Sequence, residues 1–269
     1  MSETASPSSS LPHPPLSLDV DGVGAPPLHG LRILWTESCY ELLATVRQLD
    51  FTLPTLLFPG LFYLFFGVLF GRGNGMSEYL VATYATFGVV GTALFSFGVG
   101  TAVARESGEW TLKGLTPMPA GTFLLAKAVV AWVFCAVVLI ELFALAAWLG
   151  HVRFGRGQWL AMAGILLIGS IPFAALGAAI GAHTSGKGAP SVLNLFHLPA
   201  AFLSGLWIPV TMLPDSLQYV ALAFPHFHLA QLALATVGMD LGRPWPLHVG
   251  ALAIVTVASL GLAASAYRR

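Results

Sequence analysis

The chain is predicted to be an all-α polytopic membrane protein. It should have about six transmembrane helices, an N-terminal amphipathic interfacial helix, and an outer re-entrant or interfacial element before the last helix. Three observations predict this class. Of 269 residues, 56% are hydrophobic and 9% charged, against roughly 25% charged in a soluble domain. Mean hydropathy is +0.79. Six apolar stretches each reach the ~20 residues that a helix needs to cross a bilayer. They run from about Phe51 to Phe70, Tyr79 to Val103, Phe123 to Leu149, Trp159 to Ala182, Ser191 to Val210 and Leu247 to Tyr267. The strand-period alternation of a barrel is absent, so helices must satisfy the backbone across lipid.

Residues 1–30 come first and carry Glu3, Asp19 and Asp21 but no Lys or Arg. A secretory signal needs a basic start and an apolar run, so this segment is not one. Pro7-Ser8-Ser9-Ser10 and the prolines at 12, 14, 15, 26 and 27 read as a disordered tail. Residues 31–269 then form one membrane domain, with no room for a second soluble one. A net charge of zero argues against nucleic acid as a partner. Cys39 and Cys135 fall in a surface helix and mid-span, so no disulfide framework is implied.

Within about 31–49, Leu31, Trp35, Cys39, Leu42, Val46 and Leu49 recur at steps of four and three, while Arg32, Glu37, Glu41, Arg47 and Gln48 mostly fill the other side. That pattern suits a helix lying in the interface, with Trp35 near headgroup depth. After span two comes a polar island, about 104–119, Ala-Arg-Glu-Ser-Gly-Glu-Trp-Thr-Leu-Lys-Gly-Leu-Thr-Pro-Met-Pro. Its density of charge, glycine and proline, in a chain with so little charge, marks a loop at the membrane surface that something outside the membrane grips.

Glu141 is the one carboxylate deep within a predicted span. Burying it ionised costs at least ~2.5–3.5 kcal/mol on insertion scales, so it must face a cavity, a partner or a protonated contact. A place on a substrate path is one reading; a hydrogen-bonded packing role is the other. Gly181-Ala182-His183-Thr184-Ser185-Gly186-Lys187-Gly188 nearly spells a phosphate-binding loop, but Gly188 stands where Ser or Thr must follow the lysine, and no strand precedes it. It reads as a turn between spans four and five. The pairs Gly67/Gly71 and Gly177/Gly181 have the four-residue spacing of close helix packing.

Leu217 to Val237 is long enough to span but holds Pro225, His226 and His228 and follows Pro209 and Pro214. With six spans and an internal N-terminus, the cytoplasmic side carries Arg32, Arg47, Arg105, Lys113, Lys127, Lys187, Arg268 and Arg269, and the outer side Arg72, Arg153, Arg156 and Arg243. Eight against four fits the positive-inside rule better than the seven against five of a seven-span count. The stretch is therefore expected to be broken and on the outer side. His226, His228 and His197 do not make a metal site on their own, since zinc needs three or four convergent ligands; none is expected.

The order of these parts resembles the type-2 ATP-binding-cassette (ABC) permeases, the membrane subunits of bacterial exporters for drugs, lipids and polysaccharides. The likeness runs from about Leu31 to the C-terminus. It rests on the interfacial helix, on Leu56-Leu57-Phe58-Pro59-Gly60-Leu61-Phe62-Tyr63 opening the first span, and on the island with Arg105-Glu106-Ser107-Gly108 at its head and Leu115-Thr116-Pro117 at its end. Phe202-Leu203-Ser204-Gly205-Leu206-Trp207-Ile208-Pro209 and Leu213-Pro214 complete it. The resemblance implies that 31–269 is a permease domain and that the island is a coupling helix. Arg105, Glu106, Gly108, Glu109, Trp110 and Lys113 would then dock on a separate ABC ATPase subunit, which alone holds ATP and magnesium; this chain needs no cofactor and has no catalytic set.

The resemblance further implies a second permease copy, either a homodimer or a close paralogue, and a multi-pass place in the bacterial cytoplasmic membrane with both termini cytoplasmic. The cargo would be an amphiphile (drug, lipid or glycolipid) in contact with membrane lipid. The alternatives are an ion-coupled secondary transporter, for which Glu141 alone supplies too few ligands, or a membrane-embedded enzyme, for which no nucleophile–base pair can be assembled.

Overall fold

The structure is a computed structural model describing residues 27–71, 75–109 and 122–266. Every regular element among the described residues is helical. Among the described residues, five segments are long and apolar enough to cross a membrane, and a sixth apolar helix is shorter. Most of the expected tail, the island beyond Glu109, Arg72, Arg268 and Arg269 lie outside the described residues.

Helix α1 (Pro27–Arg47) is the interfacial element. Its apolar stripe turns away from the protein, with Leu31 and Trp35 65% and 72% exposed, so the stripe is left for lipid. The opposite side grips the bundle. Glu41 pairs with Lys127 of α4 (Thr122–Trp148), and the Lys127 ammonium also sits 4.6 Å from the Phe123 ring centroid.

The first span is α2 (Leu49–Phe62) continued by a wider π-helical turn, Tyr63–Leu69. Pro54 and Pro59 lie inside it. Each removes one N–H from the helical ladder. At the far end Ser77 donates to the Gly67 carbonyl at 2.9 Å, so the Tyr63 hydroxyl, 3.1 Å from Ser77 Oγ, is the donor in that pair. Gly67 and Gly71 therefore serve this segment itself: a β-carbon on Gly67 would strike the Tyr63 ring, and one on Gly71 the Gly67 carbonyl.

Helix α3 (Met76–Glu106) is the axis of the fold. Its 31 residues span about 46 Å at 1.5 Å per residue, well beyond a ~30 Å hydrocarbon core. The share of its most apolar window that is buried is 61%, against 11% for the last helix, α10 (Trp245–Ala266). The fourth span divides into α5 (Arg156–Gly169) and α6 (Ile171–Ala182). Pro172 cannot donate to the preceding turn, and the Ser170 hydroxyl bonds the Leu167 carbonyl at 2.7 Å. Helix α6 lies along α3 so closely that β-carbons on Gly177 and Gly181 would overlap the Leu94 and Gly98 carbonyls. Of the two glycine pairs, this one joins helices.

The fifth apolar helix, α7 (Ala189–Leu203), has 15 residues where the sequence suggested 20. Gly205 ends it with φ +79°, and a β-carbon there would come within 2.9 Å of Val210 N and Cβ. Only glycine fits such a turn. The Tyr79 hydroxyl holds the Gly205 carbonyl at 2.9 Å. The chain then passes a short 3₁₀ turn, Val210–Met212, and two helices, α8 (Asp215–Ala221) and α9 (Pro225–Ala235). The expected broken element is thus present, and α9 is almost wholly buried, packed against α3, α5 and α10.

Candidate functional site

Two consecutive helices, α2 and α3, and the sequence-distant α7 line a groove of about 860 Å³. Helix α2 contributes Pro54, Thr55, Phe58 and Pro59, and α3 contributes Phe87, Gly88, Gly91, Thr92, Phe95 and Val99. Helix α7 contributes Pro190, Asn194, His197 and Leu198. Arg47 and Gln48, where α1 gives way to α2, stand at one end. The walls are largely apolar, and no carboxylate is among the described lining residues. This volume lies within the ~300–1,000 Å³ of small-molecule sites.

The groove's Arg47 end is also the end at which α3 finishes and α7 begins. There the head of the island is bonded to the turn between α6 and α7. Arg105 Nη2 donates to the Thr184 carbonyl at 2.9 Å, and Glu106 Oε2 accepts the Gly186 N–H at 2.7 Å. Both side chains are exposed, so each bond contributes on the order of 1 kcal/mol. That orders the turn without locking it. Gly108 follows with φ +71° and turns the chain away from the helix axis, a helix-ending role. Glu109 is half-buried just beyond. Trp110 and Lys113 lie outside the described residues.

The near-phosphate-loop at 181–188 is therefore the partner of Arg105 and Glu106, a role its spacing does not reveal. Its own bonds are those of a compact turn: Gly188 N–H to Ser185 Oγ at 3.1 Å, and Thr184 hydroxyl to the Ile180 carbonyl at 3.0 Å.

Glu141 does not line the groove. Its carboxylate rests against Gly60, in the space a β-carbon would fill, one residue past Pro59 on α2. Sequence alone placed this carboxylate in a span but could not supply its neighbour. Gly60→Ala is expected to destabilise the fold by about 1–3 kcal/mol through overpacking. Adding Glu141→Ala should recover most of the loss. Thermal unfolding of the two single variants and the double variant checks this; additive losses would separate the two residues. Glu141→Gln keeps the shape and is expected to keep transport.

The histidines pair across helices. His197 Nδ1 lies 3.0 Å from His226 Nε2, with the Phe87 ring stacked on His197 at 4.8 Å between centroids. His228 Nδ1 lies 2.9 Å from His248 Nδ1, and His228 Nε2 lies 3.0 Å from the Leu222 carbonyl. A carbonyl only accepts, so His228 carries its proton on Nε2 and His248 donates to its Nδ1. No group of three or more metal-type ligands forms among the described residues. The pairs join α7 to α9 and α9 to α10.

Residues 33–237 match the ABC-2 type transporter family model, a stretch that holds most of α1, the groove, the bonded island head and the broken element. YvfS of Bacillus subtilis (strain 168), a protein named as a transport permease, is 25% identical over 203 residues, covering 74% of this chain and 82% of its own. With the multi-pass helical architecture, these matches show that the chain belongs to the ABC-2 type transporter family, as a membrane transport permease.

Proposed function

We propose that the chain is the permease subunit of an ABC exporter that takes an amphiphile from the cytoplasmic side of the bacterial cytoplasmic membrane. Family membership implies an ATPase partner; this ATPase is a separate subunit and holds ATP and magnesium. The observation that carries the reading is that the groove's Arg47 end and the bonded island head share one end of the bundle. A motor docked there acts on α3 and α7 together, and these two helices form two of the groove's three walls.

In this reading Arg105, Glu106, Gly108, Glu109, Trp110 and Lys113 form the coupling surface. Glu141 supports the proline-bearing α2 and does not contact cargo. A second copy, identical or a close paralogue, closes the lipid-facing side of the groove. Both termini are cytoplasmic, which places Arg47, Arg105, Lys127 and Lys187 inside, in keeping with the positive-inside rule.

Efflux from vesicles containing the permease and its ATPase tests the function. ATP alone should drive it, and a proton gradient alone should not; the reverse result would transfer the chain to the ion-coupled class. Single cysteines at Ser8 and Ala266, with Cys39 and Cys135 replaced, should resist an impermeant thiol reagent applied outside intact cells.

A further inference from the structure

We propose that the groove between α2, α3 and α7 selects an anionic amphiphile, one apolar chain ending in a phosphate or carboxylate. Arg47 holds the headgroup, and Asn194 and His197 donate to further acceptor oxygens. The inference rests on the permease reading above and names the ligand class of that same groove.

Charge gives the first argument. Arg47 is exposed at the groove's end, and no ion pair or hydrogen bond engages its guanidinium among the described residues. Among the described residues no carboxylate lines the groove to balance it. Phe58, Phe87 and Phe95 supply apolar walls beyond. A cation with no bonded partner among the described residues, at the head of an apolar groove, is complementary to an anion on an apolar chain.

Unused hydrogen-bonding capacity gives the second. Asn194 sits on the apolar helix α7 with its amide exposed to the groove, and no described residue bonds it. Its amide therefore keeps two N–H donors and a carbonyl acceptor for a groove ligand. Thr92, by contrast, spends its hydroxyl on the Gly88 carbonyl at 2.7 Å.

His197 gives the third. It is 3% exposed, and its Nδ1 is taken by His226 Nε2 at 3.0 Å. His226 Nδ1 is buried with no partner. A buried orphan N–H is rarer than an orphan acceptor, so the network assigns the His226 proton to Nε2, which donates to His197 Nδ1. Neutral His197 then carries its own proton on Nε2, the nitrogen left for the groove and 3.3 Å from where a β-carbon on Gly91 would stand. The groove thus presents a cation, an amide and an imidazole N–H, a set that favours a ligand rich in acceptors.

The test uses the purified full-length chain in neutral detergent, with fluorescent lysophosphatidic acid and lysophosphatidylcholine of the same acyl chain as probes. The acid should bind about tenfold more tightly, the factor that one charge-assisted hydrogen bond supplies. Arg47→Gln should erase that preference, and Asn194→Leu should weaken binding of the acid about threefold. Both positions are exposed, so neither change should disturb folding. Equal binding of the two probes, or a preference that survives Arg47→Gln, overturns the proposal. So does disulfide cross-linking of Asn194→Cys between copies with the probe shut out, which would give the groove to a second copy. Co-purification of the ATPase, scored on the same wild-type samples, separates the two readings: an ATPase retained without anion preference rejects the ligand class alone, and its absence rejects the permease–ATPase reading alone.

Discussion

Gly181→Val is expected to leave little folded protein in the membrane. The residue faces backbone: a β-carbon would overlap the Gly98 carbonyl oxygen and stand 3.0 Å from its carbon and 3.1 Å from Thr101 Cβ. A side chain could rotate away, but a carbonyl inside helix α3 cannot without breaking its ladder. Overpacking typically costs about 1–3 kcal/mol even where side chains yield, and whole domains are stable by only about 5–15 kcal/mol. Because α3 is the most buried span, separating it from α6 also strips contacts from the rest of the bundle. Gly177→Val should behave alike, since its β-carbon would overlap the Leu94 carbonyl oxygen. Gly164 and Gly250 have nothing within 4 Å of a β-carbon, and alanine there should be neutral or slightly stabilising. Size-exclusion profiles and unfolding midpoints in detergent compare the four. A Gly181→Val protein as monodisperse and stable as Gly250→Ala would refute the close approach.

Exchanging the charges of Arg105 and Glu106 is expected to uncouple ATP hydrolysis from transport while the protein still inserts and folds. A glutamate at 105 cannot donate to the Thr184 carbonyl, and an arginine at 106 cannot accept the Gly186 N–H. Both bonds bridging the α6–α7 turn are lost. The freed backbone groups are exposed and return to water, so the stability cost is on the order of 1 kcal/mol. Glu106→Gln keeps an acceptor and should be milder. If Trp110 is an interface anchor, Trp110→Ala should weaken ATPase association by about 1–2 kcal/mol or more. Co-purification of the ATPase, and molecules exported per ATP hydrolysed in vesicles, provide the readout. Wild-type association and coupling in the exchanged variant would remove the island from the coupling path.

The parts written in local composition were legible in advance. Apolar length gave the spans, the three-and-four spacing of Leu31 to Leu49 gave α1, and the prolines around Leu217–Val237 gave the break. The polar run at 104–119 stood out because the chain carries so little charge. What escaped was whatever depends on two distant segments meeting. The groove draws on α2, α3 and α7, and none of Phe58, Thr92 or Asn194 is unusual in its own helix. Gly67/Gly71 and Gly177/Gly181 share one spacing yet do different work, because only in the second pair would β-carbons strike the backbone of a neighbouring helix. The shortening of α7 was hidden too: hydropathy stays high through Val210, while the turn depends on the backbone angle at Gly205. Arg105 and Glu106 were recognisable as polar anchors, but their partner, 79 and 80 residues further on, was not.

The first span behaves like a bow held at both tips. One tip is tied to α1, where Thr52 donates to the Thr45 carbonyl at 2.9 Å, and α1 is itself moored to α4 through Glu41 and Lys127. The other tip is tied to α3 through Tyr63 and Ser77. Between them, Pro54 and Pro59 leave the carbonyls of Asp50 and Thr55 without their ladder donors. A rod fixed at its ends and weakened between them deflects most near mid-length, and that stretch carries Phe58 and Pro59 into the groove. In the proposed role of the groove as the cargo site, a change in the curvature of this one span would reshape the wall without sliding whole helices.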